Sequence, residues 1–121
     1  MNRIARGIGT ALAAGALLLG VTGCSGGGKP DLVPTDTGVE PAVTVHVSDN
    51  RYEPAKVEIK AGEAVRWVFD GPGDHDVVAS DGSFVSELQS GGEYLHVFDD
   101  AGQFMYDCSI HPEMIGTVTV G

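Results

Sequence analysis

The segment Tyr106-Asp107-Cys108-Ser109-Ile110-His111-Pro112-Glu113-Met114 sets a thiol, an imidazole and a thioether at Cys-x2-His-x2-Met spacing. All three groups bind metals, and the two sulfurs are the soft donors of the set. Phe104, Tyr106 and Cys108 alternate with Met105 and Asp107, the period of a strand. Cys108 therefore shares the inward face with the two aromatics, Tyr106 belongs to the core beside it, and Met105 points away. The chain after Cys108 must turn back, which carries His111 and Met114 toward the same point. Pro112 disfavours the α conformation at His111 and blocks a helix there. Three candidate ligands thus sit on one tight loop between two strands.

A fourth ligand must come from elsewhere. His75 follows Gly71-Pro72-Gly73 and begins a short apolar strand. Loops at one end of a sandwich converge, so His75 is the best candidate. His75, Cys108, His111 and Met114 make a His2Cys set with a weak axial thioether, the pattern of a copper site that moves electrons. Zinc on His75, Cys108, His111 and a carboxylate is an alternative, but it leaves Met114 without a role. Four ligands leave no open coordination position, which argues against an enzyme. A second metal site would need more histidines. Only His46 and His96 are left, each alone on a strand.

The elements that must hold these residues read as strands and turns. Val43, Val45 and Val47 alternate with polar neighbours; Val57 and Ile59 do the same, and so do Val65, Trp67 and Phe69. Trp67 and Phe69 are core aromatics. Asp70 to Asp74 predicts a loop, and Ala61-Gly62, Asp81-Gly82 and Asp99 to Gly102 predict turns. Val77 to Ala79 is a short strand, Phe84 to Ser90 a short strand and a loop, Tyr94 to Phe98 a strand, and Gly116 to Val120 the last one. Seven or eight short strands without a helix predict an all-β antiparallel sandwich or barrel.

This folded part spans 42–121. Before it, Met1 to Gly7 carries Arg3 and Arg6 and no acid, and Ile8 to Val21 is apolar or small. That is the pattern of a secretory signal over 1–23, and the apolar run is short for a membrane span of roughly 20 residues. Val21-Thr22-Gly23-Cys24 resembles a bacterial lipobox, with Cys24 lipidated and becoming the first mature residue. The alternatives are an ordinary signal peptide and a disulfide from Cys24 to Cys108. Residues 24–41 are rich in Gly, Pro, Thr and Asp without apolar periodicity, which predicts a flexible tether. The expected location is extracytoplasmic, anchored to the membrane through lipid, in cells of either Gram type.

After Cys24, five basic residues stand against 17 acidic ones, a net charge of −12 with His neutral. So acidic a chain is a poor binder of nucleic acid or anionic lipid surfaces. The charge suffices for solubility and also suits a basic redox partner. The expected state is a monomer.

The four-ligand pattern and its flanks resemble the type 1, or blue, copper proteins: the cupredoxins, and among them amicyanin and plastocyanin. The resemblance lies in Ala61-Gly62-Glu63-Ala64-Val65-Arg66-Trp67, in Asp74-His75-Asp76-Val77-Val78, and in Ala101 to Cys108 followed by His111-Pro112-Glu113-Met114-Ile115-Gly116. The two residues between His111 and Met114 match the short ligand loop of amicyanin. The resemblance implies a Greek-key β-sandwich that shuttles single electrons between a donor and an acceptor protein. It implies one copper held in a plane by His75, Cys108 and His111, with Met114 axial. It also implies an electron port where the His111 edge meets an apolar patch, for which Ile110 and Pro112 are candidates. An envelope copper carrier or store would use the same ligands. Two residues depart from the family pattern. Asp76 stands where the family has Asn and should accept a hydrogen bond from Ser109, with its charge altering the site. Asp107 adds a charge just before Cys108.

Overall fold

The computed structural model describes residues 28–121. The signal region 1–23 and Cys24 lie outside the described residues. Eight strands follow in order: β1 Val43–Ser48, β2 Arg51–Glu53, β3 Lys56–Ile59, β4 Glu63–Gly71, β5 Val78–Ala79, β6 Glu93–Phe98, β7 Gly102–Cys108 and β8 His111–Val120. Among the described residues there is no helix. They form two four-stranded sheets, ordered β2-β1-β4-β6 and β3-β8-β7-β5, an all-β sandwich as expected.

Strand alternation builds the core. Val45 and Val47 point in from β1, Val65, Trp67 and Phe69 from β4, and Met114, Val118 and Val120 from β8. Trp67 is the hub. Its ring lies 5.5 Å from Phe84, 5.4 Å from Tyr106 and 5.9 Å from Tyr94, centroid to centroid. Burying aromatics of this size supplies much of the stabilisation available to so small a domain.

The sheets are mixed rather than antiparallel throughout. β1 pairs with β4, and β3 with β8, in parallel. The chain changes sheet between β2 and β3, again at β4, β5 and β6, and at β7. Such crossings set strands of the same direction side by side, whereas hairpins force antiparallel pairs. Among the described residues only β1–β2 and β7–β8 are consecutive neighbours within one sheet.

Two boundaries differ from the sequence expectation at the end that carries the candidate ligands. β4 continues into Gly71, which pairs with Ser48 across a register shift, so the loop shortens to 72–74. β8 begins at His111, five residues earlier than the Gly116 start expected. The turn between β7 and β8 is only Ser109 and Ile110, with Cys108 opposite His111 beyond another register shift. Pro112 fits because a strand tolerates proline at a bulge or edge position.

The stretch expected to be a tether is docked over part of its length. The Val33 N–H donates to the Val85 carbonyl at 2.9 Å, and the Asp36 N–H to the Leu95 carbonyl at 2.7 Å. In return, the Leu95 N–H donates to Thr35 Oγ1 and the Val97 N–H to Asp36 Oδ2. β6 is an edge strand, and this arm satisfies backbone groups that would otherwise stay open. Hydrogen bonds hold the arm, so it needs no periodic apolar face.

Candidate metal centre

β7 brings Cys108 to the end of the core, where it is fully buried. The two-residue turn then returns the chain, and His111 opens β8 half-buried beside it. His75 comes from the other side, ahead of β5. It exchanges backbone hydrogen bonds with Gln89 at 3.0 and 2.9 Å and is 1% exposed.

The Cys108 Sγ lies 3.8 Å from His75 Nδ1 and 3.7 Å from His111 Nδ1. The three donor atoms all fall within 4.8 Å of one another. A thiolate at ~2.3 Å and an imidazole at ~2.0 Å from one ion, in a plane, stand roughly 3.7 Å apart. The observed spacing is therefore that of ligands sharing an ion, and two imidazoles with a thiolate suit copper. His75, Cys108 and His111 form a candidate copper site.

Met114 points inward from β8, three residues after His111. It is 2% exposed and belongs to the same buried cluster as Cys108. Ile110 and Pro112 flank His111 and are both exposed, Ile110 by half. His46 and His96 lie apart from this group. His46 is exposed on β1 and meets Asp70 at 3.0 Å. His96 packs on Phe84 and Phe98.

The Asp49 carboxylate lies at the β1–β2 turn, and its Oδ1 is 3.2 Å from His75 Nε2. An ionised carboxylate only accepts, so Nε2 carries the proton and the Nδ1 lone pair faces Cys108. The hydrogen bond from His75, then that from the Gly73 N–H, hold the Asp49 carboxyl below its usual range. A Cβ at Gly73 would stand 2.8 Å from Asp49 Oδ1, so only glycine lets the carboxylate come this close. Sequence reading missed Asp49. Its one local signal is the turn it forms with Asn50, whose φ is 69°.

Asp76 is fully buried and ties the two ligand-bearing segments together. Its Oδ1 accepts the Ser109 N–H at 2.7 Å, and its Oδ2 accepts the Ser109 hydroxyl at 2.6 Å. This is the link expected from Asp76 to Ser109, made twice. Lys29 Nζ donates to the same Oδ2 at 2.7 Å, a contact no local pattern foretold. Tyr52 Oη donates to the Asp76 carbonyl at 2.7 Å. Burial works to raise the Asp76 carboxyl, but Lys29 and the two Ser109 donors outweigh it and hold it below the usual range. Burial, then the nearby Asp76 charge, pushes the Asp107 carboxyl up. Burial also pushes the Cys108 thiol up.

Known proteins agree with this architecture. Residues 15–120 match the cupredoxin-like domain family. Amicyanin from Paracoccus versutus is 34% identical over 85 residues, covering 65% of this chain and 64% of that protein. The chain thus spans just under two thirds of that relative's length. Plastocyanin from Scenedesmus fuscus is 36% identical over 83 residues, covering 57% of this chain and 85% of that protein. Among solved structures, a purple cupredoxin from Nitrosopumilus maritimus aligns with a TM-score of 0.60 and 28% identity, over 65% of this chain and 99% of that one. With nearly the whole described domain inside the matched span, the chain belongs to the cupredoxin-like domain family.

Proposed function

We propose that this protein is a mononuclear type 1 copper protein that passes single electrons between redox proteins and has no enzymatic turnover. One observation carries the reading: a fully buried thiol held 3.7–3.8 Å from the Nδ1 atoms of two imidazoles. His75, Cys108 and His111 would hold the copper, with the Met114 thioether as a weak fourth ligand. Bound copper supplies a one-electron Cu(II)/Cu(I) couple.

The chain's contribution is rigidity. Asp49 fixes the His75 ring, Asp76 fixes the turn after Cys108, and Cys108 and His111 are cross-strand neighbours. Ligands held this way change position little when the charge at the centre changes, which keeps electron transfer fast. His111 is the least buried of the three, and with exposed Ile110 and Pro112 it forms the electron port. The acidic surface suits a basic partner. Lipidation at Cys24 places the protein outside the cytoplasm, on a membrane. The buried positions of His75 and Cys108 support a retained metal over a copper carrier.

The test is a visible spectrum after adding Cu(II). An intense copper–thiolate band is expected, and it should vanish in Cys108→Ala. Repeated one-electron cycling without loss of the band separates a shuttle from a carrier. No band in the intact protein would overturn the proposal.

A further inference from the structure

We propose that Lys29, delivered by the docked N-terminal arm, is a positioning residue of the copper centre that acts through Asp76. The proposal rests on the copper reading above.

Asp76 directly follows His75, and Ser109 directly follows Cys108. The Asp76–Ser109 clamp is therefore a direct link between the residues next to two of the candidate ligands. A carboxamide has a single accepting oxygen, whereas this carboxylate uses both, one for each Ser109 donor. The carboxylate brings a negative charge into a fully buried position, which is costly unless paired. Lys29 is the cation that pairs it, at 2.7 Å and with its side chain 26% exposed.

Lys29 belongs to neither sheet. It comes from the arm, which the Val33–Val85 and Asp36–Leu95 hydrogen bonds pin to the domain. With Lys29 in place, the clamp has the net charge an Asn would have. Without it, an unpaired carboxylate sits one residue from each of His75 and, through Ser109, Cys108. That charge favours the more positive oxidation state of a bound ion and loosens the turn after Cys108.

The test compares four full-length proteins: wild type, Lys29→Met, Lys29→Met with Asp76→Asn, and Lys60→Met. Lys60 is exposed and controls for the loss of any surface charge. The midpoint potential of Lys29→Met should fall, with the Cu(II):Cu(I) equilibrium moving on the order of tenfold, about 59 mV for one electron. The double variant should recover most of that fall, and Lys60→Met should show none of it. In metal-free protein, the Ser109 amide should exchange faster in Lys29→Met than in wild type. A Lys29→Met potential equal to that of wild type or Lys60→Met overturns the proposal, whatever the exchange rate. So does a double variant that stays as low as the single one. If wild type shows no copper–thiolate band, the copper reading fails by itself. Ser109 exchange then still decides whether Lys29 holds the clamp.

Discussion

Asp49 and Asp76 serve the two halves of the candidate ligand set by different means. Asp49 accepts from the far nitrogen of His75 and so sets which nitrogen is free. Asp49→Ala should weaken copper binding by roughly tenfold, measured by competition with a chelator of known affinity. Gly73→Ala should do the same, because its methyl would displace the Asp49 carboxylate. His96 makes a different prediction, in the metal-free protein. Burial against Phe84 and Phe98 lowers its pKa below 6.5, despite the opposing pull of Asp36, Asp99 and Asp81. The unfolded chain therefore binds a proton that the folded one resists. Stability is unaffected by this group above about pH 6.5 and is lost as the pH falls below that. Urea midpoints at pH 7.5 and 5.5 should differ more in wild type than in His96→Gln. An equal difference in both would remove His96 as the cause.

The β7–β8 hairpin is the element on which the site is built. Its alternation was legible because Phe104, Tyr106 and Cys108 form a period-two run in contiguous sequence. The early start of β8 was not, since a proline and a polar residue after His111 look like loop. Pairing of Asp107 with Ile115 and of Cys108 with His111 overrides that local signal. Within the hairpin, Gly116 faces the Tyr106 ring so closely that a Cβ there would collide with it. Gly116→Ala should destabilise the domain by about 1–3 kcal/mol, read as a lower urea midpoint. Because Tyr106 also packs on Tyr52, with centroids 4.6 Å apart, and Tyr52 holds the Asp76 backbone, the disturbance should reach the copper–thiolate band as well. The arm beside β6 was illegible for another reason. It is held by hydrogen bonds to Val85, Leu95 and Val97, two of them through the Thr35 and Asp36 side chains, and these leave no apolar period in the sequence.

Over the whole molecule, five basic residues against 17 acidic ones after Cys24 produce a field that any redox partner meets first. Electron transfer to a basic partner should slow steeply as salt is raised through about 0.1 M, where the screening length is near 10 Å. Stopped-flow rates across ionic strength check this, and a flat profile would show that charge steering plays no part. The docked arm also changes what a lipid at Cys24 would mean. Four residues separate Cys24 from Lys29, and the five steps between the two reach at most about 18 Å. The end of the domain bearing the metal site is then held near the bilayer rather than swinging on a long leash. Inserting a flexible Gly/Ser linker after Ser25 should speed reduction by a soluble partner, measured on the membrane-bound protein.

The sequence by itself determined the candidate ligand types, the inward placement of Cys108, and the all-β class, since these depend on residue chemistry and on alternation between near neighbours. Only the tertiary structure decided how the ligands are held. Asp49 reaches His75 across 26 residues, and Lys29 reaches Asp76 across 47. Both are single polar contacts without periodicity, so they exist only once the two sheets and the arm have been brought together. The parallel pairs β1–β4 and β3–β8 were hidden for the same reason. Strand direction within a sheet depends on where the chain crosses between sheets, and no local run of residues encodes that.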